Sequence, residues 1–241
     1  MKETFANKLR KVLPLRACGA VIVAAGNASR MGGIDKVMAP LQGEPMLLHT
    51  VRAFQQSPAI RKIVIVTRKD LVEKVTDLCR DLDKVTAVVE GGADRQASVE
   101  RGLKALPGKL PLVAVHDGAR PLISQLVIDR TVRAAHTYNA AAPAIPVKDT
   151  IKTVKGGVVE KTPDRKKLFA VQTPQVFDRE LLMGALQKAR QDEAAITDDC
   201  SAVERLGMSV KVVEGDEKNL KVTTPIDLKI AEFLMEEMGC G

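Results

Sequence analysis

The stretch AVIVAAGNASRM, residues 20–31, decides the fold of this chain. Its apolar run at residues 21–23 is typical of a strand that other elements cover on both faces. The side chains then shrink to Ala-Ala-Gly at 24–26, so a ligand can approach the backbone, and the cations Arg30 and Lys36 follow. Such a loop suits a bound anion as readily as an ordinary glycine turn, and it matches neither Walker A nor G-x-G-x-x-G.

Strand and helix patterns alternate along the chain beyond this stretch. Apolar runs predict strands at 63–67, 86–90, 112–115 and 140–145, and amphipathic segments that predict helices separate them. This alternation predicts an α/β fold with a doubly wound, mostly parallel sheet. Because ligands bind at the carboxyl ends of such strands, the loops after them are expected to form one site.

Two further loops follow predicted strands and carry candidate ligand groups. The first reads GGADRQAS, residues 91–98, where Ser98 could cap the next helix or help to hold a nucleotide. The second reads HDGARP, residues 116–121. Asp117 suits Mg²⁺ or a hydroxyl ligand. Arg120 could reach a phosphate, or it could simply pair with Asp117.

Residues 146–172 interrupt the alternation and predict a protruding β-hairpin arm. Residues 150–154 alternate polar and apolar side chains, Lys-Gly-Gly at 155–157 can turn the chain, and residues 158–161 return it. A two-stranded ribbon is marginal alone, so it must pack on its own domain or on a second subunit. Residues 170–177 then predict one further strand.

Composition limits the class of protein. The chain has 241 residues, 45% of them hydrophobic, with a net charge of +7, five Phe, one Tyr and no Trp. We expect an N-terminal extension at 1–17 and a single domain at 18–238. The charge favours anionic ligands, whereas the scarcity of aromatic residues disfavours a nucleic-acid partner.

The four cysteines form no C-x-x-C pair and predict free thiols in a reducing compartment, the cytoplasm. No apolar run approaches the length of a membrane span, so we expect no membrane partner. The sequence also has no Ser-His-Asp spacing and no H-E-x-x-H motif. The available cations, backbone donors and Asp117 suit direct attack of a substrate oxygen on phosphorus, assisted by Mg²⁺.

Nine motifs in order resemble the 2-C-methyl-D-erythritol 4-phosphate cytidylyltransferase family over about residues 18–235. They are AAGNASRMG, DKVMAPL, EGGADRQASV, VHDGARP, PVKDTIK, TPDR, QTPQVF, ITDD and NLKVTTP. The resemblance implies a Rossmann-like sheet of the nucleotidyltransferase type. It also implies that CTP and a sugar-alcohol phosphate, methylerythritol 4-phosphate, react to give the cytidine diphosphate derivative and pyrophosphate, with Mg²⁺ or another divalent cation as cofactor.

The resemblance also implies roles for individual residues. The implied catalytic residues are Arg30, Lys36, Arg165 and Lys221. The implied CTP contacts are Ala24, Ala25, Gly26, Gly92, Ser98 and Asp117, with Asp117 also at the metal. The implied substrate contacts are Arg120, Thr150, Arg165, Thr197, Lys221 and Thr223. The family exchanges the arm between two subunits, so Thr150 and Arg165 would act in the site of the partner in a homodimer.

Two departures from the family pattern and three alternatives accompany this interpretation. Asp35 stands where the family often has Pro, and Ala93 stands where it usually has an acidic residue. The nearest alternative is a ribitol 5-phosphate cytidylyltransferase, against which the HDGAR segment argues. A non-catalytic nucleotide-binding regulator is a second, and a nucleic-acid-binding protein, which predicts steeply salt-dependent binding, is a third.

Overall fold

A mixed sheet of eight strands forms the centre of the computed structural model, which describes residues 13–26, 36–108, 110–237 and 239. The strands of this sheet are β1 Cys18–Ala24, β4 Ile60–Thr67, β5 Val85–Glu90, β6 Leu112–Asp117, β7 Ala140–Pro146, β10 Phe169–Val171, β11 Gln175–Asp178 and β12 Lys211–Glu214. Two small ribbons pair β2 Pro40–Leu41 with β3 Glu44–Pro45, and β8 Thr153–Lys155 with β9 Val158–Lys161. The helices are α1 Met46–Gln56, α2 Val72–Leu78, α3 Arg95–Ala105, α4 Gln125–Tyr138, α5 Arg179–Gln191, α6 Asp199–Arg205 and α7 Pro225–Glu237.

The opening strand β1 lies in the interior of the sheet. It pairs in parallel with β4 on one side and β6 on the other, so that Val21 is level with Val64 and Val115. Successive side chains of a strand point to opposite faces. Accordingly, Ile22 packs in a core with α1, α2 and α4, and Val21 packs in a second core with α3, α5 and α6. Helices therefore cover both faces, which confirms the predicted doubly wound fold.

The strand predicted at 170–177 is wrong as a single element, because the chain leaves the ladder between β10 and β11. Both pieces pair antiparallel with β7, and β11 also pairs with β6. Between them, the Thr173–Pro174 peptide bond is cis, and Gln172 and Thr173 bury their side chains against other loops. Gln172 N still donates to the Pro143 carbonyl of β7 at 2.8 Å, but the next residues turn away from β7, and Pro174 has no N–H to continue the ladder.

The predicted hairpin arm is present, with narrower limits than 146–172. Pro146 and Phe169 pair with each other within the main sheet, so the arm proper spans residues 147–168. Gly156 and Gly157 turn it with positive φ angles of 56° and 81°, which only glycine adopts easily. Every residue of β8 and β9 is exposed, and Val158 retains 70% of its accessible surface.

The predicted free thiols are confirmed at Cys18, Cys79 and Cys200, which are buried and unbridged, whereas Cys240 lies outside the described residues. Within the described part of the chain, no helix has the length and apolar character needed to cross a membrane. The extension at 1–17 and the domain limits 18–238 stay predictions, since residues 1–12 and 238 are outside what the structure describes.

Candidate active site

The loops after β1, β5 and β6 meet at one edge of the sheet, as the parallel topology requires. They enclose a cleft of about 380 Å³. The described residues that line it are Val23, Ala24, Ala25, Gly26, Val37, Gly92, Ala93, Asp94, Arg95, Ser98, Asp117, Ala119 and Lys221. The cleft therefore brings together all six predicted CTP contacts and Lys221; their roles stay predictions.

Glycines allow the loops of the cleft to approach closely. A Cβ atom on Gly91 would lie 2.3 Å from the Cβ of Ala25, and one on Gly92 would lie 2.2 Å from the Cβ of Ala97. Real Cβ atoms do not come so close, and the obstruction at Gly92 includes the backbone of Ala97. These two positions thus exclude larger residues, and one wall of the cleft is made mainly of backbone and methyl groups.

The charged group at the floor of the cleft is Asp117, at the end of β6. Its Oδ2 accepts from Lys221 Nζ at 2.7 Å, and its Oδ1 lies 3.9 Å from Arg95 Nη2. Burial opposes ionisation of this carboxyl, but Lys221, Arg95 and Arg120 outweigh burial and hold its pKa below the usual value. Asp117 is therefore an anion at neutral pH, surrounded by cations that could turn to a bound phosphate.

Arg95 and Asp199 are site residues that the motif analysis missed. Arg95 Nη2 donates to Asp199 Oδ2 at 2.8 Å, and the side chain of Asp199 is fully buried at the start of α6. Burial raises the pKa of Asp199, so this carboxylate depends on Arg95 for its charge. The signal was present in the sequence, since both residues lie within quoted motifs, but nothing local indicated that the two loops meet.

The residue that caps the start of α3 differs from the one predicted. Asp94, rather than Ser98, caps this helix, and its Oδ1 accepts from Ala97 N at 2.6 Å. Ser98 lies one turn inside, where its Oγ accepts from Gly92 N at 3.0 Å and donates to the Asp94 carbonyl at 2.9 Å. The hydroxyl thus holds the Gly92 loop against the first turn of α3.

Arg120 is placed behind Asp117 and does not line the cleft. Its Nη1 donates to the Asn219 carbonyl at 2.6 Å, and its Nε lies 3.8 Å from Asp117 Oδ2. Nε is buried and makes no hydrogen bond with the described residues. Arg120 therefore contributes its charge to Asp117 in this conformation, and its contact with a sugar phosphate stays a prediction.

The other predicted residues either do not line the cleft of their own chain or lie outside the described residues. Arg30 is outside the described residues, and of Lys36 only the backbone is described, in a short 3-10 helix. Thr150, Arg165 and Thr197 are exposed, and Arg165 Nη1 donates to the Lys148 carbonyl at 2.7 Å. Thr223, two residues after Lys221, donates to Asp227 Oδ2 at 2.8 Å at the start of α7.

Comparison with known proteins agrees with this arrangement. A profile described as 2-C-methyl-D-erythritol 4-phosphate cytidylyltransferase matches residues 18–237. A protein of that name from Desulforamulus reducens is 46% identical over 230 residues, which are 92% of this chain and 97% of that protein. One from Symbiobacterium thermophilum is 47% identical over 219 residues, 90% and 92% of the two chains.

Solved structures show the same likeness. The 4-diphosphocytidyl-2C-methyl-D-erythritol synthase of Anaerococcus prevotii superposes with a TM-score of 0.83 at 31% identity, covering 92% of this chain and 96% of that one. The 2-C-methyl-D-erythritol 4-phosphate cytidylyltransferase of Thermus thermophilus gives 0.76 at 34% identity, covering 91% and 99%. The resemblance stated from the motifs and the predicted fold class are both confirmed.

Proposed function

The chain belongs to the 2-C-methyl-D-erythritol 4-phosphate cytidylyltransferase family, and we propose that the cleft at the edge of its sheet carries out that family's reaction. An oxygen of the methylerythritol phosphate attacks the α-phosphorus of CTP. One P–O bond forms, the bond between the α- and β-phosphates breaks, and pyrophosphate leaves. The observation that carries the proposal is the Asp117–Lys221 ion pair facing a backbone-lined cleft.

Each side of the cleft has a part in this reaction. The loop at residues 24–26 presents backbone to the triphosphate, and the Gly92 loop presents backbone to the cytosine, which explains how Ala93 can replace an acidic residue there. Lys221 is 43% exposed, so its ammonium can turn from Asp117 to the attacking phosphate. Arg30 and Lys36 complete the site as cations that stabilise the charge of the transition state.

The residues present fit a single Mg²⁺ carried with the nucleotide. Among the described residues, no three His, Cys, Asp or Glu side chains form a group that could hold a metal alone. Asp117 nevertheless presents one carboxylate to the cleft, and Mg²⁺ commonly takes one or two carboxylates together with substrate phosphates. Asp117 would hold the ion, which would neutralise charge on the triphosphate.

We expect the enzyme to act in the cytoplasm, where its free thiols stay reduced.

The deciding experiment measures pyrophosphate release from CTP with a panel of sugar phosphates. Turnover is expected with methylerythritol 4-phosphate and not with ribitol 5-phosphate. Turnover of ribitol 5-phosphate alone would replace the proposed substrate, and CTP binding without release of pyrophosphate would instead support a non-catalytic regulator.

We also propose a homodimer in which each arm completes the cleft of the other subunit. The arm is uncovered and basic, with valines on its surface, and α7 offers a matching face beside Lys221. The exposed apolar side chains of that face are Ile226, Ile230 and Phe233, and the exposed acidic residues of the helix are Glu236 and Glu237. Burial of valines against this face would stabilise the ribbon and would bring Thr150 and Arg165 towards the cleft of the partner.

A further inference from the structure

The loop Asp117-Gly118-Ala119-Arg120 is fastened to four other parts of the chain by its own backbone. Asp117 N donates to Thr173 Oγ1 at 3.1 Å, and Gly118 N donates to the Val23 carbonyl at 2.8 Å. The Gly118 carbonyl accepts from Thr50 Oγ1 at 3.0 Å, and the Ala119 carbonyl accepts from Val222 N at 2.8 Å. The loop that carries the central carboxylate of the cleft is thus held at each of these residues.

His116 closes this set of contacts from inside the core. Its side chain is fully buried, and its ring packs against Phe54 with centroids 4.8 Å apart. Its Nδ1 lies 3.0 Å from Thr173 Oγ1, and its Nε2 lies 3.3 Å from the Arg120 carbonyl. One ring therefore reaches both ends of the loop, Asp117 through Thr173 and Arg120 directly.

The direction of every proton in this chain of contacts follows from elementary chemistry. A carbonyl oxygen only accepts, so His116 Nε2 carries the hydrogen that it donates to Arg120. Complete burial in the core disfavours a charged imidazolium, so the ring is neutral and Nδ1 is an acceptor. The Thr173 hydroxyl then donates to Nδ1 and accepts from Asp117 N. Donors and acceptors alternate without conflict.

We propose that Thr50, His116 and Thr173 are positioning residues that form a buried clamp on the Asp117 loop. The clamp fixes Asp117 between Lys221 and Arg95, while none of the three side chains reaches the cleft. This inference rests on the proposed function, because it assigns these residues a part in that reaction through Asp117.

The requirement for a fixed loop comes from the charges around it. Asp117 Oδ2 lies 2.7 Å from Lys221 and 3.8 Å from Arg120, while Oδ1 lies 3.9 Å from Arg95. A tilt of the carboxylate would exchange one cation for another. The buried hydrogen bonds of the clamp oppose such a tilt, because breaking one leaves a desolvated polar group without a partner.

Substitution of Thr173 tests the clamp most directly. Thr173→Val keeps the shape of the side chain and removes the hydroxyl, so kcat should fall about tenfold. Thr173→Ser keeps the hydroxyl and should restore most of kcat. Thr131→Val is the matched control, since Thr131 is equally buried and donates to the Val127 carbonyl within α4. It should lower the melting temperature and leave kcat unchanged.

A double mutant separates positioning from loss of stability. If Thr173 acts through Asp117, Thr173→Val should lower the residual kcat of an Asp117→Asn enzyme by less than about twofold. A full tenfold loss in that background would overturn the proposal, as would a wild-type kcat in Thr173→Val. Equal losses in Thr173→Val and Thr131→Val would overturn it too, because both would then report stability alone.

Failure of the proposed function would look different from failure of the clamp. If the wild-type protein released no pyrophosphate with any sugar phosphate, the proposed function would fail. The clamp would then be tested with CTP alone by calorimetry in the presence of Mg²⁺. Binding weakened about tenfold in Thr173→Val and unchanged in Thr173→Ser would support it, and equal binding by all variants would overturn it.

Discussion

The Asp117 loop and the arm at residues 147–168 differ in what holds them in place. Buried side chains and neighbouring backbones fasten the loop, and three cations surround its carboxylate. The arm presents every residue of its two strands to solvent, and Arg165 within it contacts its own chain through the Lys148 carbonyl. Both regions carry residues predicted for one active site. Within a single chain, however, the Asp117 loop lies in the cleft and the arm lies apart from it.

This difference implies a division of labour in the proposed mechanism. One subunit presents the described nucleotide side of the cleft already formed, because the nearly buried Asp117 carboxylate is compensated by Lys221, Arg95 and Arg120. In the proposed homodimer the arm contributes to a cleft only on a partner, so its contribution depends on assembly. Variants of the two regions should therefore differ in size of effect and in their dependence on subunit mixing.

The largest effect is expected at Lys221. Lys221→Ala removes the cation nearest Asp117 and the proposed contact with the attacking phosphate, so kcat/KM should fall about hundredfold or more. Steady-state pyrophosphate release measures it. Lys229→Ala, which removes an exposed lysine from α7, should stay within about twofold of wild type. If both variants retained activity, the ion pair at the floor of the cleft would have no catalytic part.

The second prediction tests whether the arm serves the neighbouring subunit. Arg165→Ala should lower kcat about thirtyfold, and Lys36→Ala at least about tenfold, whereas Lys155→Ala at the arm's turn should change little. Mixing the Arg165→Ala and Lys36→Ala proteins should recover up to about a quarter of wild-type activity, because half of randomly formed dimers are mixed and each has one intact site. Absence of recovery after proven exchange of subunits would place Arg165 in the site of its own chain.

A smaller effect is expected at Asp199. Asp199→Asn leaves Arg95 without its charged partner at 2.8 Å, so Arg95 should move closer to Asp117. We expect kcat to fall about fivefold and the melting temperature to fall by several degrees. Asp192→Asn, on an exposed carboxylate that pairs with Lys188, is the control and should change neither quantity appreciably. An unchanged kcat would confine Asp199 to a structural part.

The last prediction concerns the stability of the fold in acid, to which His116 contributes, and it involves the smallest change in activity at neutral pH. The pKa of His116 is about 3 in the folded chain and 6.5 ordinarily, so the unfolded chain binds more protons between these values. The contribution of His116 is complete above pH 6.5 and is lost as the pH falls towards 3. From pH 6.5 to 5 the wild type should lose about 2 kcal/mol through this residue.

Urea unfolding at several pH values measures this loss. His116→Gln should show a shallower decline of unfolding free energy over that interval, whatever its stability at pH 7. Asp117 and Arg120 face the ring and titrate outside the interval, so they should not obscure the comparison. Identical slopes in the two proteins would show that the imidazole gains a proton in the folded state.

The sequence predicted what local pattern and parallel topology determine. The strands at 63–67, 86–90 and 112–115 and the meeting of their loops follow from apolar periodicity and from a rule about sheet edges. It failed where distant groups decide the outcome. Thr173 leaves the ladder to contact Asp117, and Arg95 is fixed by Asp199 across more than a hundred residues of chain. No spacing within either segment indicates its partner.

The backbone wall of the cleft has a consequence for resistance to inhibitors. Gly91 and Gly92 cannot gain a side chain without colliding with Ala25 and Ala97. A compound that binds the main-chain groups of this wall would meet few substitutions that block it and still leave a folded enzyme. Substitutions that confer resistance would have to arise among the charged residues at the floor of the cleft, where each of them would also lower the turnover of the enzyme.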